Sequence, residues 1–265
     1  RDAAPAVAPA DLGPELAGTQ KSEDLFMFSV KHISLKKGQR MVVPIAETIV
    51  PVKSVYTLDV PVAPPVDVRT NMDPGRAAEL QRLLHSPKVI HKARLTNKGE
   101  HPFTTAPAMI VKDGRILGQG IMTYTAVGGE TDLEITTAVD VQVKKAEKES
   151  KRTPNAVTLR GETYDRVDLE GKLTLVNFGK QAIEVKVVRH VLGAADSAGA
   201  GGKTEAVNLV EDWSTAAGAM PPWWGSYSWP GWWSRLNGIA RVTWDVKLEP
   251  GKSAELDYTW HYFWR

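Results

Sequence analysis

Apolar residues recur at every second position along much of this chain, the period of extended strands that turn one face to a core. The C-terminal end shows it best. Val242, Trp244, Val246 and Leu248 alternate with Arg241, Thr243, Asp245 and Lys247, and Leu256, Tyr258, Trp260, Tyr262 and Trp264 then alternate with Glu255, Asp257 and Thr259. Phe26, Phe28 and Val30 repeat the pattern near the other end. A Lys36-Lys37-Gly38-Gln39 turn follows, then β-branched stretches from Met41 to Ile45 and from Ile49 to Val60, so the two sides predict a hairpin.

Between these ends, turn signals separate short apolar runs. Asn97-Lys98-Gly99, Asp113-Gly114, Gly128-Gly129, Glu170-Gly171, Gly179 and Pro250-Gly251 punctuate runs such as Val89–Leu95, Met109–Val111, Ile116–Tyr124, Leu133–Ile135 and Val139–Val143. This spacing predicts antiparallel sandwiches. One helix is expected over 74–85, capped by Asp73, opened by Pro74, carried by Ala77, Leu80, Leu83 and Leu84, and stopped at Ser86-Pro87. The segment 192–204 is rich in Gly and Ala and reads as a flexible loop.

These elements predict an all-β protein of two antiparallel β-sandwich-like units, with one short inserted helix and an extended N-terminal arm. The arm, residues 1–22, is Ala/Pro-rich and reads as a linker. Unit 1 spans 23–146 and unit 2 spans 155–265, with the polar run Lys144–Asn155 as the connector between them. Because residue 1 is arginine, the chain is expected to be the C-terminal part of something longer.

Composition narrows the function classes. The 265 residues contain no cysteine, which excludes disulfides, thiol nucleophiles and cysteine-ligated metals. A net charge of +2 leaves no basic surplus for releasing counterions from nucleic acid, so nucleic acid is not an expected partner. No apolar run approaches the length of a membrane-spanning helix, and the first residues form no signal-peptide core.

A resemblance adds to this reading. The stretch VIHKARLTNKGEHPFTTAPAMIVKDGRILGQG, followed by TAVGGETDLEI, together with GKLTLVNFGKQAIEVKVVRHV and the terminal WDVKLEPGKSAELDYTW, resembles the C-terminal β region of mucoidy-inhibitor-like bacterial proteins, a domain of unknown function. The likeness covers roughly residues 85–265 and rests on strand-and-turn motifs. It implies a β-sandwich in an exported or cell-envelope bacterial protein, and it implies no catalytic residues. In the family a coiled coil usually precedes this region, and residues 1–84 show no heptad pattern of that kind.

The sharpest local feature is PPWWGSYSWPGWW, residues 221–233. Trp223, Trp224, Tyr227, Trp229, Trp232 and Trp233 crowd a loop without charge, and aromatic side chains of this kind anchor partner proteins or stack on sugar rings. The competing expectation is a loop that folds back as a self-packed lid. No catalytic motif accompanies it. The histidines, His32, His85, His91, His101, His190 and His261, stand singly without metal-ligand spacing, and Gly118-Gln119-Gly120 reads as turn chemistry. Glu211-Asp212 supplies at most one half of a glycosidase carboxylate pair. The expectation is therefore a non-catalytic structural or interaction module without cofactor or metal. Its arm and Trp-rich loop would contact a protein partner or another copy of the chain, and a carbohydrate-binding accessory domain is the alternative.

Overall fold

The computed structural model describes residues 15–22, 25–65, 67–68, 75, 87–207 and 230–265, and for 15–28 only the backbone. The fold is all-β. Fourteen strands are described: β1 (Glu15–Ser22), β2 (Leu25–Lys31), β3 (Val52–Val60), β4 (Ile90–Thr96), β5 (Ala106–Lys112), β6 (Arg115–Met122), β7 (Glu130–Thr137), β8 (Val141–Leu159), β9 (Glu162–Asn177), β10 (Ile183–Val191), β11 (Ala194–Ala198), β12 (Lys203–Ala206), β13 (Ala240–Leu248) and β14 (Ser253–Trp264). A helical turn, α1 (Trp233–Leu236), is described beside them. The helix expected over 74–85 lies, apart from Gly75, outside the described residues.

The strands form a six-stranded sheet in the order β12-β13-β10-β3-β4-β7, a four-stranded sheet in the order β11-β14-β9-β8, and two hairpin ribbons, β1-β2 and β5-β6. Chain contacts divide the molecule into two units. One comprises Arg1–Val52, Leu95–Ala106 and Met122–Thr131, and the other comprises Lys53–Arg94, Pro107–Ile121 and Asp132–Arg265.

The larger unit is a sandwich whose core lies between the two main sheets. Leu58 and Val60 of β3, Val185 and Val187 of β10, and Val242, Trp244 and Leu248 of β13 meet Leu173 and Leu175 of β9 and Leu256, Tyr258, Trp260 and Tyr262 of β14. The alternation expected in β13 and β14 is borne out, with Val246 and Trp264 half-buried and the other apolar positions buried.

Several expectations change. The connector 144–155 is instead the middle of the 19-residue strand β8, antiparallel to β9, with register shifts between Glu149 and Lys151 and between Thr153 and Val157. It is an edge strand with charged side chains on its inward positions. The boundary at 146–155 therefore does not hold, and β3, from the sequence's first half, lies parallel to β10 from its second. That pair also departs from the antiparallel expectation; the long intervening chain lets β10 arrive in the direction of β3. The arm is not wholly a linker, because Glu15–Ser22 pairs with β2, which therefore does not pair with the stretch that follows it. Backbone pairing satisfies that segment without large apolar side chains.

Glu170-Gly171 is not a turn. Gly171 faces Tyr258 across the β9–β14 ladder, where a Cβ would come within 2.1 Å of the tyrosine ring. The 192–204 loop is strands β11 and β12, which carry the chain from the four-stranded to the six-stranded sheet around Gly199–Gly202. Gly118 and Gly120 lie inside β6. There a Cβ on Gly118 would stand 2.5 Å from the Ile135 carbonyl oxygen, so glycine permits close approach to β7.

The two N-x-G motifs do the same work in different places. In the smaller unit, buried Asn97 donates from Nδ2 to the carbonyls of His101 and Thr125 and accepts from Gly99 N–H, while its backbone joins Gly128 and Gly129. In the larger unit, Asn177 donates to Gln181 and Leu248 at 2.9 and 3.1 Å and accepts from Gly179 N–H, while its backbone joins Gly251 and Lys252. Each asparagine fastens one turn to a second, distant turn.

Candidate functional site

The C-terminal end of the Trp-rich segment packs within its own chain. The Trp233 N–H bonds to Pro230 O and opens α1; its ring is 2% exposed and lies 5.9 Å from Tyr262 and 5.6 Å from Trp264, centroid to centroid. Trp232 is half-buried, 4.8 Å from Tyr164 and 5.8 Å from Trp264. Asn237 then clamps the last strand, donating to Phe263 O at 2.9 Å and accepting from Phe263 N at 2.7 Å. Trp233 is thus a core residue, and its ring is not offered to a partner. Trp223, Trp224, Tyr227 and Trp229, with Glu211 and Asp212, lie outside the described residues. Beside this aromatic group, the turn between β8 and β9 and the last residue of the chain place Arg160 and Arg265 near Arg235 of α1 around a shallow cavity of about 360 Å³.

A second group lies inside the sandwich. Arg189 occupies an inward position of β10, in register with Val185, Val187 and Val191, and is 1% exposed. Its Nη2 bonds to both carboxylate oxygens of Glu147 at 3.0 and 3.2 Å, its Nε donates to Tyr258 OH at 3.1 Å, and its Nη1 donates to Pro61 O. Glu147 Oε1 also accepts from Tyr258 OH at 3.0 Å and from Trp260 Nε1 at 2.9 Å, and Lys145 Nζ lies 3.2 Å from Oε2. Burial by itself would raise the Glu147 carboxyl, but Arg189 and Lys145 outweigh it and hold the group at about 2. Burial and the adjacent carboxylate push the Tyr258 hydroxyl up to about 12. Nearby, Asp67 accepts from Tyr262 OH at 2.9 Å and pairs with Arg152 at 3.3 Å. Burial and that carboxylate raise the Tyr262 hydroxyl.

A third group lies on the outer face of the four-stranded sheet. Ligand atoms of Asp168, Asp196 and His261 come within 4.8 Å of one another. Arg166 already occupies the cation's role, 2.7 Å from Asp168 and 3.5 Å from Asp196, and His261 Nδ1 lies 2.8 Å from Asp196. A divalent ion would have to displace the guanidinium, so the arrangement is read as a surface ion-pair network. Ser54 and His91 also meet, at 3.3 Å. His91 stacks flat on Tyr56 with centroids 4.5 Å apart; no carboxylate orients it among the described residues, and burial lowers its pKa.

The β5–β6 ribbon forms a fourth feature. Its glycines turn towards β7, and its other face presents Pro107, Met109, Val111, Leu117, Gln119 and Ile121 to solvent, part of it lining a shallow groove of about 410 Å³. Met109 is 57% exposed and Ile121 69%. Outside its Lys112–Arg115 tip the ribbon carries no charge.

Sequence reasoning missed Arg189 and Glu147. Two signals were available: an arginine on the apolar register of IEVKVVRHV, and the alternation of Lys145, Glu147 and Glu149 in β8. No family model, curated protein or solved structure matches the chain.

Proposed function

We propose that this chain is a non-catalytic interaction module that binds a protein surface, a second copy of itself or another protein, through the outer face of the β5–β6 ribbon. One observation carries the reading: an uncharged two-stranded face with Met109, Val111, Leu117 and Ile121 exposed. Each apolar Å² left in water forgoes roughly 25 cal/mol, and soluble monomers seldom keep such faces uncovered. Leu117 and Ile121 gain nothing from solvent.

The non-catalytic part of the proposal draws on the titratable groups. Glu147 is held ionised by two cations and bonded on both oxygens, and the carboxylates around His261 are paired to Arg166. Each of these carboxylates is thus engaged by a cation. The resemblance to mucoidy-inhibitor-like envelope proteins, the bacterial envelope location, and contacts made by the arm and by Trp223, Trp224, Tyr227 and Trp229 belong to the same proposal.

Where the partner is a second copy, sedimentation velocity between about 1 and 100 μM is expected to show reversible association that Met109→Lys with Ile121→Lys abolishes. Association unchanged by the double variant would refute the ribbon as the contact. Both positions are exposed, so the variant is expected to fold with near-native stability.

A further inference from the structure

We infer that the cavity between the β8–β9 turn and α1 is a binding site for an acidic sugar, a pyranose that carries a carboxylate, presented by an acidic polysaccharide. Three arginines, Arg160, Arg235 and Arg265, line it together with Trp232, Tyr164 and Glu162. Glu162 is already taken by Arg265, at 2.9 Å. Arg160 and Arg235 therefore bring two guanidinium groups to a concave surface with no carboxylate bonded to either among the described residues. Like charges gathered in a cleft repel one another and concentrate anions from solution.

Arg160 supplies an independent observation. It holds φ 55° at the first position of the two-residue Arg160–Gly161 turn, with Gly161 at φ 83°. Both residues of such a turn need positive φ, which asparagine or glycine adopts readily, whereas a long side chain there costs roughly 1 kcal/mol. The strained residue is one of the three arginines that line the cavity.

The chemistry of the lining selects the ligand. A planar guanidinium grips a carboxylate through two parallel hydrogen bonds, and a half-buried indole offers an apolar surface to the C–H face of a sugar ring. A uronate carries both features on one rigid ring, and about 360 Å³ accommodates a ligand of one or two sugar rings. An acidic peptide or free phosphate would use the arginines and leave the exposed part of the indole uncovered. This site is separate from the β5–β6 ribbon, so either proposal can fail without the other.

Calorimetric titration of the chain with a galacturonic acid trimer tests it, with neutral galactotriose, inorganic phosphate and an Asp/Glu hexapeptide as comparisons. The expected result is saturable binding of the acidic trimer alone. Affinity should fall about tenfold in Arg160→Asn and again in Arg235→Gln, the worth of one charge-assisted contact each. Arg160→Asn relieves the turn, so its melting temperature should not fall and lost binding cannot be ascribed to unfolding. Absence of binding at millimolar trimer, binding that both variants leave intact, or equal binding of the neutral sugar, phosphate or peptide would overturn the assignment.

Discussion

Replacing Glu147 with glutamine removes one charge from the interior and leaves the shape. The amide oxygen can still accept from Tyr258 and Trp260, but the amide nitrogen now faces Arg189 and Lys145, donor against donor, and a guanidinium that is 1% exposed loses its counter-ion. Two routes give the magnitude. Holding the carboxyl at about 2 instead of its ordinary 4.5 corresponds to about 3 kcal/mol at 1.36 kcal/mol per unit. Removing one member of a buried ion pair costs about 3–5 kcal/mol in general. Urea unfolding at pH 7, followed by far-ultraviolet circular dichroism, should therefore place Glu147→Gln at least about 3 kcal/mol below the native chain, a large part of a typical domain's stability.

The pH dependence carries a definite sign. A depressed carboxyl stabilises fully above its unfolded value, and the contribution fades as pH falls from about 5 towards 2. The gap between native and variant chains should close across that window even while other carboxylates titrate in both. Replacing the pair together, Glu147→Leu with Arg189→Met, should recover part of the loss, because it removes the uncompensated guanidinium while the Tyr258 hydroxyl, the Trp260 N–H and Lys145 still lose Glu147 as acceptor. A loss under about 1 kcal/mol at pH 7, or a gap unchanged between pH 7 and 2, would refute the network as a source of stability.

Three further outcomes follow from the packing. Asn177→Ala strands the Gln181 and Leu248 carbonyls and the Gly179 N–H, so chemical denaturation should show a loss of about 2–4 kcal/mol. Gly171→Ala drives a methyl into the Tyr258 ring, and its thermal midpoint should drop by several degrees, whereas alanine at Gly251, where nothing lies within 4 Å but φ is 69°, should cost only its backbone strain. Trp233→Ala empties the space against Tyr262 and Trp264, with an expected cost of about 3–5 kcal/mol by the same denaturation assay.

The all-β fold was legible because β13 and β14 obey a strict apolar–polar alternation, and the Lys36–Gln39 turn closes as its residues indicate, with Gln39 N–H bonding to Lys36 O. β8 was not legible for a physical reason. Its inward positions carry Lys145, Glu147 and Glu149, whose partners Arg189 and Arg152 include one contributed by a distant strand, so no local window distinguishes them from a solvated run. Inward charge on an edge strand also discourages pairing with a stray strand, which favours this pattern in a β8 of such length. Gly171 and Gly118 look like turn residues in the sequence, and what they permit, contact with Tyr258 and with Ile135, is visible only across the sheets. At the candidate sites, residues 221–233 drew notice by composition. Trp233 turned out to stabilise the core, while the arginines beside Trp232 lie far apart in sequence and gave no local signal.

The central claim is that the outer face of the β5–β6 ribbon is covered by protein in the cell. A photo-crosslinking amino acid placed at Met109 or Ile121, with the exposed Lys203 position of β12 as control, tests it directly in the cells that make the chain. The account predicts one discrete crosslinked species, shared by positions 109 and 121 and absent from 203. No crosslink at the ribbon, or the same species from all three positions, would contradict it.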